Sequence, residues 1–382
     1  MTTTGSTRRR RLGAAVGGLA VAALLISGCA GAEANDAAPS QSSSAPSILP
    51  CIVSQPDGQD PIVQLAYDGV RQAADELGVR YDESPAATTS AVPDAIDHLL
   101  GEGCTVVVTS GDRAYASTIA SAATHPAITY IWVDDTGAQN ASNRPELATT
   151  PNVRPVLFDL TQPAYLAGYL AAGMTKSGVV GTFAEADQPI STAVMDAFAQ
   201  GVERYDQVNA EKLPKPVRVV GWDRATKQAD FLETSDNDRA ATHAVQTLLQ
   251  DGADIIFPVR LPARGSGKFY QQIASLMTNT PTDVSLIGIG SDSFESAPDV
   301  SGSFLTSLVT AADVGVYGLV LAAAKGPMPQ TTYVGTLANG GVDLAPYHDW
   351  SDRVPENLTS SISLLETAVV GGGVVIDASA PH

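Results

Sequence analysis

DLTQPAYLAGYLAAGMTKSGVVGTF, residues Asp159–Phe183, sets the reading of the whole chain. It predicts a strand end, a crossing, one long helix and the first strand of a second lobe. Thr161 is placed as the N-cap, and Pro163 falls in a first helical turn, where amide protons have no intrahelical partner. Leu166, Leu170 and Met174 recur at helical spacing and give one apolar stripe. Ala167, Gly168, Ala171, Ala172 and Gly173 are small, so the backbone can come very close to whatever it packs on. Gly168 and Gly173 each cost roughly 1 kcal/mol against Ala, which close packing has to offset. Lys176 suits the negative end of the helix dipole, and Gly178 a left-handed stop. Val179–Phe183 reads as a buried strand.

The same alternation runs outward on both sides. Before it, Cys51–Ser54, Val79–Tyr81, Thr105–Thr109, Ile128–Val133 and Val156–Phe158 read as strands. Between them, helices are predicted from Ile62 to Leu77 (apolar at Ile62, Ala66, Val70, Ala73 and Leu77, stopping at Gly78), over Val92–Leu100 and over Ala114–Ala123. After it come helices Val194–Val202, Asn237–Gln250, Gly267–Met277 and Ala311–Lys325. The strands there are Val217–Trp222, Ile255–Val259, Val284–Ile289 and Phe304–Leu308. Regular β–α alternation means parallel sheets covered by helices on both faces. Some 330 structured residues exceed one ordinary core, so two α/β lobes are expected.

The N-terminus reads as an export signal. Arg8–Arg11 form a charged region, and Leu12–Ile26 is an uncharged apolar run too short and Gly-rich for a membrane span. Leu25-Ile26-Ser27-Gly28-Cys29 fits a lipobox, which makes Cys29 the lipidated residue; a Sec or a twin-arginine route would both serve. Residues 1–29 are thus leader and anchor, and the protein is expected on the outer face of the cell membrane. Residues 30–50 have the composition of a tether, with a reach of about 25 Å. The full chain has 382 residues and a net charge of −19. Removing Met1–Gly28 takes four arginines and no acid, leaving 18 basic against 41 acidic residues, net −23. That balance argues against nucleic acid or an anionic membrane surface as a partner.

Cys51 and Cys104 enter the first and third strands. In the strand order 2-1-3-4-5 these are adjacent and parallel, so both cysteines lie at the N-terminal edge, about 5 Å apart and within disulfide range. Export permits the bond, and two inert thiols are the alternative.

Catalytic patterns are absent. The five histidines lie far apart without metal-ligand spacing, and there is no G-x-S-x-G elbow. Gly265-Ser266-Gly267-Lys268 resembles the end of a phosphate loop, but Pro262 replaces its first glycine and Phe269 its Ser/Thr. The reading is of a binding protein and not an enzyme, with no cofactor and no metal. Ligands of parallel sheets bind at the carboxyl ends of strands. There the first lobe offers Asp57, Gly58, Gln59, Asp60, Ser110, Gly111, Asp112, Asp134 and Asp135. The second offers Trp222, Arg260, Arg264, Gly265 and Asp292. Carboxylates accept from hydroxyls or amines, an arginine fork binds carboxylate or carbonyl oxygens, and an aromatic face stacks.

YLAGYLAAGMTKSGVVG resembles the signature of the basic membrane protein (BMP) family. YIWVDD (Tyr130–Asp135), DGADIIFPV (Asp251–Val259) and NGGVDLAPY (Asn339–Tyr347) match in the expected order. The resemblance implies a two-lobed, type I periplasmic binding protein fold. It also implies a lipid-anchored, monomeric substrate-binding protein of an ABC importer, whose partners are a small polar solute and an ABC permease. Crossings between lobes are implied near Phe158, Ser307 and Met328. Lobe one is then 51–158 with 309–328, and lobe two 159–308 with 329–382. Nucleoside-binding members carry D-x-S-F-N after the first strand; here the matched positions are Gln59, Pro61, Ile62 and Val63, without stacking ring or amide. G-V-D-x-D becomes Gly288-Ile289-Gly290-Ser291-Asp292, the lysine after the T-S pair becomes Thr310, and V-A-G-x-T-G becomes Val259–Gly265 (VRLPARG). These departures point to a different polar or acidic ligand. The competing reading is a surface lipoprotein that has lost solute binding and acts as a sensory or interaction partner.

Overall fold

The computed structural model describes residues 48–55, 60–134, 144–184, 188–229, 237–260, 266–277 and 283–377. The expected leader, the expected lipidation site Cys29 and the expected tether up to residue 47 lie outside them. In chain order the strands begin with β1 (Pro50–Ser54), β2 (Asp82–Pro85), β3 (Val106–Ser110), β4 (Thr129–Val133) and β5 (Val153–Phe158). They continue with β6 (Val179–Ala184), β7 (Arg218–Val220), β8 (Trp222–Asp223), β9 (Gln228–Ala229) and β10 (Ile255–Val259). The last are β11 (Ser285–Gly290), β12 (Phe304–Thr310), β13 (Tyr333–Gly335) and β14 (Val342–Leu344). The helices are α1 (Pro61–Leu77), α2 (Val92–Gly101), α3 (Asp112–Thr124), α4 (Glu146–Thr149), α5 (Thr161–Met174) and α6 (Pro189–Asn209). After them come α7 (Asn237–Gln250), α8 (Ser266–Met277), α9 (Ser293–Ser296), α10 (Ala312–Ala324) and α11 (Glu356–Val370).

Two six-stranded sheets result, ordered β2-β1-β3-β4-β5-β13 and β7-β6-β10-β11-β12-β14. Each is parallel except for β14, which runs antiparallel to β12. Strands of this kind are apolar on both faces because helices cover both. Ile52, Val108 and Ile131 face one continuous core shared with residues of α1, α10, α5 and α6, and Val180, Phe257 and Ile287 reach the same core from the second sheet. On the outer faces, Val107 and Trp132 pack with α2 and α3, and Phe183 and Ile256 with α7 and α8. Cys51 and Cys104 are bonded, with Cα atoms 5.9 Å apart, as the strand order predicts.

The central helix departs from its reading in two ways. Its N-cap is Leu160, without a side-chain bond. The capping work falls to Asp159, whose carboxylate accepts from Thr161 N (3.2 Å), Thr161 Oγ1 (2.5 Å) and Gln162 Nε2 (2.9 Å). Nor does α5 show a single stripe: it is buried on every side from Pro163 to Ala172. It crosses α6 backbone against backbone. A Cβ on Gly168 would stand 1.9 Å from Phe198 O, and one on Gly201 2.0 Å from Tyr165 O.

Other corrections are local. Leu49, expected to belong to a tether, is buried and accepts through its carbonyl from Thr105 N at 3.0 Å. The second strand is Asp82–Pro85, not Val79–Tyr81; at a sheet edge backbone pairing to Cys51–Ser54 suffices, without apolar alternation. The strand expected over Val217–Trp222 breaks at Gly221 (φ 84), where a Cβ would meet Thr182 O at 2.0 Å. β12 runs on past Ser307 to Thr310. β13 pairs with β5, so the first sheet extends past Met328, where the last crossing was expected. The Met328 carbonyl is held there by Arg154 Nη2 at 2.5 Å, and Gln330 donates to Leu147 O at 2.7 Å.

Candidate functional site

The carboxyl edges of the two sheets meet where the chain passes between them. Asp159 N donates to Gly335 O (2.8 Å), Ala311 N to Gly341 O (2.9 Å) and Gly341 N to Thr336 O (3.0 Å). Gln162 Oε1 accepts from Leu337 N at 2.9 Å. Three passages are laced together in this way, and the loops after the strands lie at that edge of each sheet.

On the first lobe the described candidates are Asp60, Ser110, Gly111, Asp112 and Asp134; Asp57, Gly58, Gln59 and Asp135 lie outside the described residues. Asp60 is the N-cap of α1 and accepts from Ile62 N at 3.2 Å. Ser110 ends β3 buried, and its Oγ has no hydrogen-bond partner among the described residues. Neighbouring Thr109 shares a hydrogen bond with Thr118 of α3 at 2.7 Å, so strand alternation turns Ser110 to the opposite, α1 side. Gly111 adopts φ +82, donating to Val133 O (2.8 Å) and accepting from Trp132 Nε1 (3.0 Å). Asp112, in the first turn of α3, is ion-paired with Arg144, whose guanidinium lies 4.5 Å over Tyr115. The Tyr115 hydroxyl is pushed up to about 12 by burial and by its hydrogen bond to Glu146. Asp134 is fully buried at the end of β4, its amide bonded to Val156 O at 2.9 Å.

On the second lobe Trp222, Arg260 and Asp292 are described, while Arg264 and Gly265 lie outside the described residues. Trp222 is 4% exposed, and its indole N–H donates to Asp196 Oδ1 at 3.1 Å. Its ring belongs to the core shared by the two sheets. Arg260 is half-buried with its guanidinium 4.6 Å over the Phe269 ring. Asp292 is engaged twice, accepting from Phe294 N (3.1 Å) and pairing with His348 Nε2 (2.7 Å), while His348 stacks on Phe294 at 4.0 Å. Of the positions matched to the stacking ring and amide, Ile62 is half-buried and Val63 belongs to the core.

Two carboxylates that the sequence reading did not single out brace the second lobe, Asp196 beside the chain after β7 and Asp254 at the amino edge of the sheet. Asp196, 2% exposed on α6, accepts on Oδ1 from Trp222, Arg224 Nε (3.0 Å) and Lys227 Nζ (3.2 Å), and on Oδ2 from Gln200 (2.9 Å). Burial works against the Arg224 charge, but Asp196 and Glu203 outweigh it and raise its pKa. Asp254, inside the matched DGADIIFPV run, clamps the turn after α5 by accepting from Thr175 Oγ1 (2.6 Å), Lys176 N and Ser177 N (both 2.7 Å). Among the described residues no group of three or more His, Cys, Asp or Glu could hold a metal.

The two mostly parallel sheets, flanked by helices, define the class: a two-lobed periplasmic binding protein fold. Residues 56–214 match the Bmp family model, described as ABC transporter substrate-binding protein PnrA-like, and the resemblance read from the sequence is borne out over that stretch. No curated protein matches the chain. Among solved structures, an ABC transporter solute-binding protein from Conexibacter woesei DSM 14684 superposes with a TM-score of 0.63 at 16% identity, covering 86% of this chain and 98% of its own. One from Aeropyrum pernix K1 gives 0.63 at 16%, covering 88% and 94%. A transcriptional activator of the comK gene from Bacillus halodurans gives 0.62 at 16%, covering 88% and 100%. At this identity the likeness is one of fold.

Proposed function

We propose that the chain is an extracytoplasmic, lipid-anchored solute-binding protein that closes two lobes on a small polar solute and delivers it to an ABC permease. The observation that carries this reading is the match of residues 56–214 to the substrate-binding family on a two-sheet frame. Ligand class follows from what the cleft edge lacks and holds. Ile62 and Val63 neither stack on nor hydrogen-bond a base, and Gly290 offers no side-chain acceptor to a ribose. Arg260 supplies a guanidinium at the end of β10, and the Ser110 hydroxyl, unpartnered among the described residues, supplies a donor at the end of β3. An arginine bond to an anionic group, partly desolvated on closure, contributes about 1.5–3 kcal/mol. The solute therefore carries a carboxylate or carbonyl group, and common nucleosides bind weakly.

Calorimetric titration of the chain from Pro46 with adenosine, guanosine, inosine and uridine tests the ligand class. Submicromolar binding of any of the four overturns it. With an acidic solute in hand, Arg260→Ala weakens binding at least tenfold. The anchor is tested separately: Cys29→Ala should release the protein from the membrane fraction, and unchanged fractionation removes lipidation from the proposal.

A further inference from the structure

Strand β14 bounds the second sheet on its outer side, antiparallel to β12. Beyond it the chain runs on to Tyr347, still tied to β12 at Ala345. There the amide donates to Ser307 O and the carbonyl accepts from Thr306 Oγ1, both at 2.8 Å. A pocket of about 210 Å³ opens between this segment, α11 and Leu166 of α5. Leu166 and Ile362 are its buried apolar wall, and Asp343, Tyr347 and Glu366 bring polar groups to it. None of the residues lining it belongs to the loops assigned to the solute.

The charges of this pocket are one-sided. No lysine, arginine or histidine lines it. Among the described residues Asp343 accepts from Leu344 N at 2.7 Å and from nothing else, and the Glu366 carboxylate and Tyr347 hydroxyl have no hydrogen-bond or ion-pair partner. Burial, and after it the Asp343 charge, raises both the Glu366 carboxyl and the Tyr347 hydroxyl above their ordinary pKa values. A half-buried carboxylate facing a second one is unfavourable until a cation joins them. Elsewhere in this lobe the chain provides that cation itself: Asp196, beside the β8–β9 hairpin, has Arg224 at 3.0 Å and Lys227 at 3.2 Å. Two carboxylates on an open surface would only be a solvated face. Here they stand on a concave apolar wall, the usual composition of a small-molecule site.

We propose that this pocket binds an organic cation, an alkylammonium or a guanidinium, with its charged end between Asp343 and Glu366 and its carbon stem on Leu166 and Ile362. An ammonium offers three donors and a guanidinium five, to be met by two carboxylates and the Tyr347 hydroxyl. A bare metal ion would leave the apolar wall unused, and among the described residues no group of three or more His, Cys, Asp or Glu could hold one.

The test is a titration of the full chain at constant ionic strength, followed through the backbone amide resonances of Leu344, Tyr347, Ser363 and Glu366. The probes are n-butylammonium and n-butylguanidinium as free amines, Nα-acetyl-arginine methylamide as the same group carried on a peptide, and n-butanol as the neutral stem. Saturable shifts with a cationic probe, absent with n-butanol, are expected. The tighter of the free amine and the capped arginine then names the source of the cation, a small solute or a partner's side chain. Glu366→Gln keeps the shape of the pocket and should weaken binding at least tenfold; Asp343→Asn should act in the same direction. No saturable shift with any cationic probe, an equal response to n-butanol, or unchanged affinity in Glu366→Gln overturns the proposal. None of these readings depends on what the two lobes bind between them.

Discussion

Gly168 and Gly201 let α5 and α6 touch backbone to backbone, and that contact places the start of the second lobe. Gly168→Ala puts a methyl carbon where Phe198 O stands 1.9 Å away, and the helices have to separate. Overpacking of this kind costs about 1–3 kcal/mol, measurable as a lower denaturation midpoint with an unchanged slope. Gly318, inside α10, is the control: nothing lies within 4 Å of its added Cβ, so Gly318→Ala should stabilise by about 1 kcal/mol. Asp196 makes the opposite case. Arg224 and Lys227 are about one-third exposed and can turn to water, so Asp196→Ala should cost about 1–3 kcal/mol, and Trp222 emission should shift to the red as the hairpin loosens. The small residues of α5 were legible because close approach needs only size. Asp196 was not, since its three Oδ1 partners lie 26 to 31 residues away and come together only when the hairpin folds.

Among the elements, those bounded by local signals came out nearly where the sequence puts them. Helix α1 begins at Pro61, behind its cap Asp60, and ends at Gly78 with φ 66, as a cap, a first-turn proline and a left-handed stop dictate. Asn237–Gln250 falls on its predicted bounds. Edge strands were misplaced because backbone pairing, not side-chain pattern, defines them. Helix α11 went unread: Leu358, Ile362 and Leu365 form its buried stripe, against a mostly polar first half. On that helix, burial and then the nearby Asp343 raise the pKa of Glu366. A raised folded-state pKa means that the native chain holds the proton more tightly. The stability linked to that proton is present below the unfolded pKa and is lost as pH rises through the folded one. Glu366→Gln should therefore raise the melting temperature at neutral pH, with the gain fading as pH falls through the carboxylate range. A constant gain across that range would show that charge is not the cause.

At the scale of the molecule, the strand order read from β–α alternation was enough to place Cys51 beside Cys104. The bond closes a separation of 53 residues, and in the loop-entropy account a double Cys51→Ser, Cys104→Ser variant loses about 4 kcal/mol in denaturant unfolding. The ligand was less legible. The chemistry of the candidate loops depends on which side chains the fold has already engaged: Trp222 and Asp292 are bonded within their own lobe, whereas the Ser110 hydroxyl has no partner among the described residues. The central claim is that the two lobes hold a small polar solute, and a thermal-shift screen of the chain from Pro46 against nucleosides, sugars and small acids tests it most directly. A solute at 100 times its Kd stabilises a binding protein by about 2.7 kcal/mol. The account predicts a clear upward shift with a carboxylate- or carbonyl-bearing solute, reduced by Arg260→Ala, and none with common nucleosides. A melting temperature unmoved by every solute would contradict it.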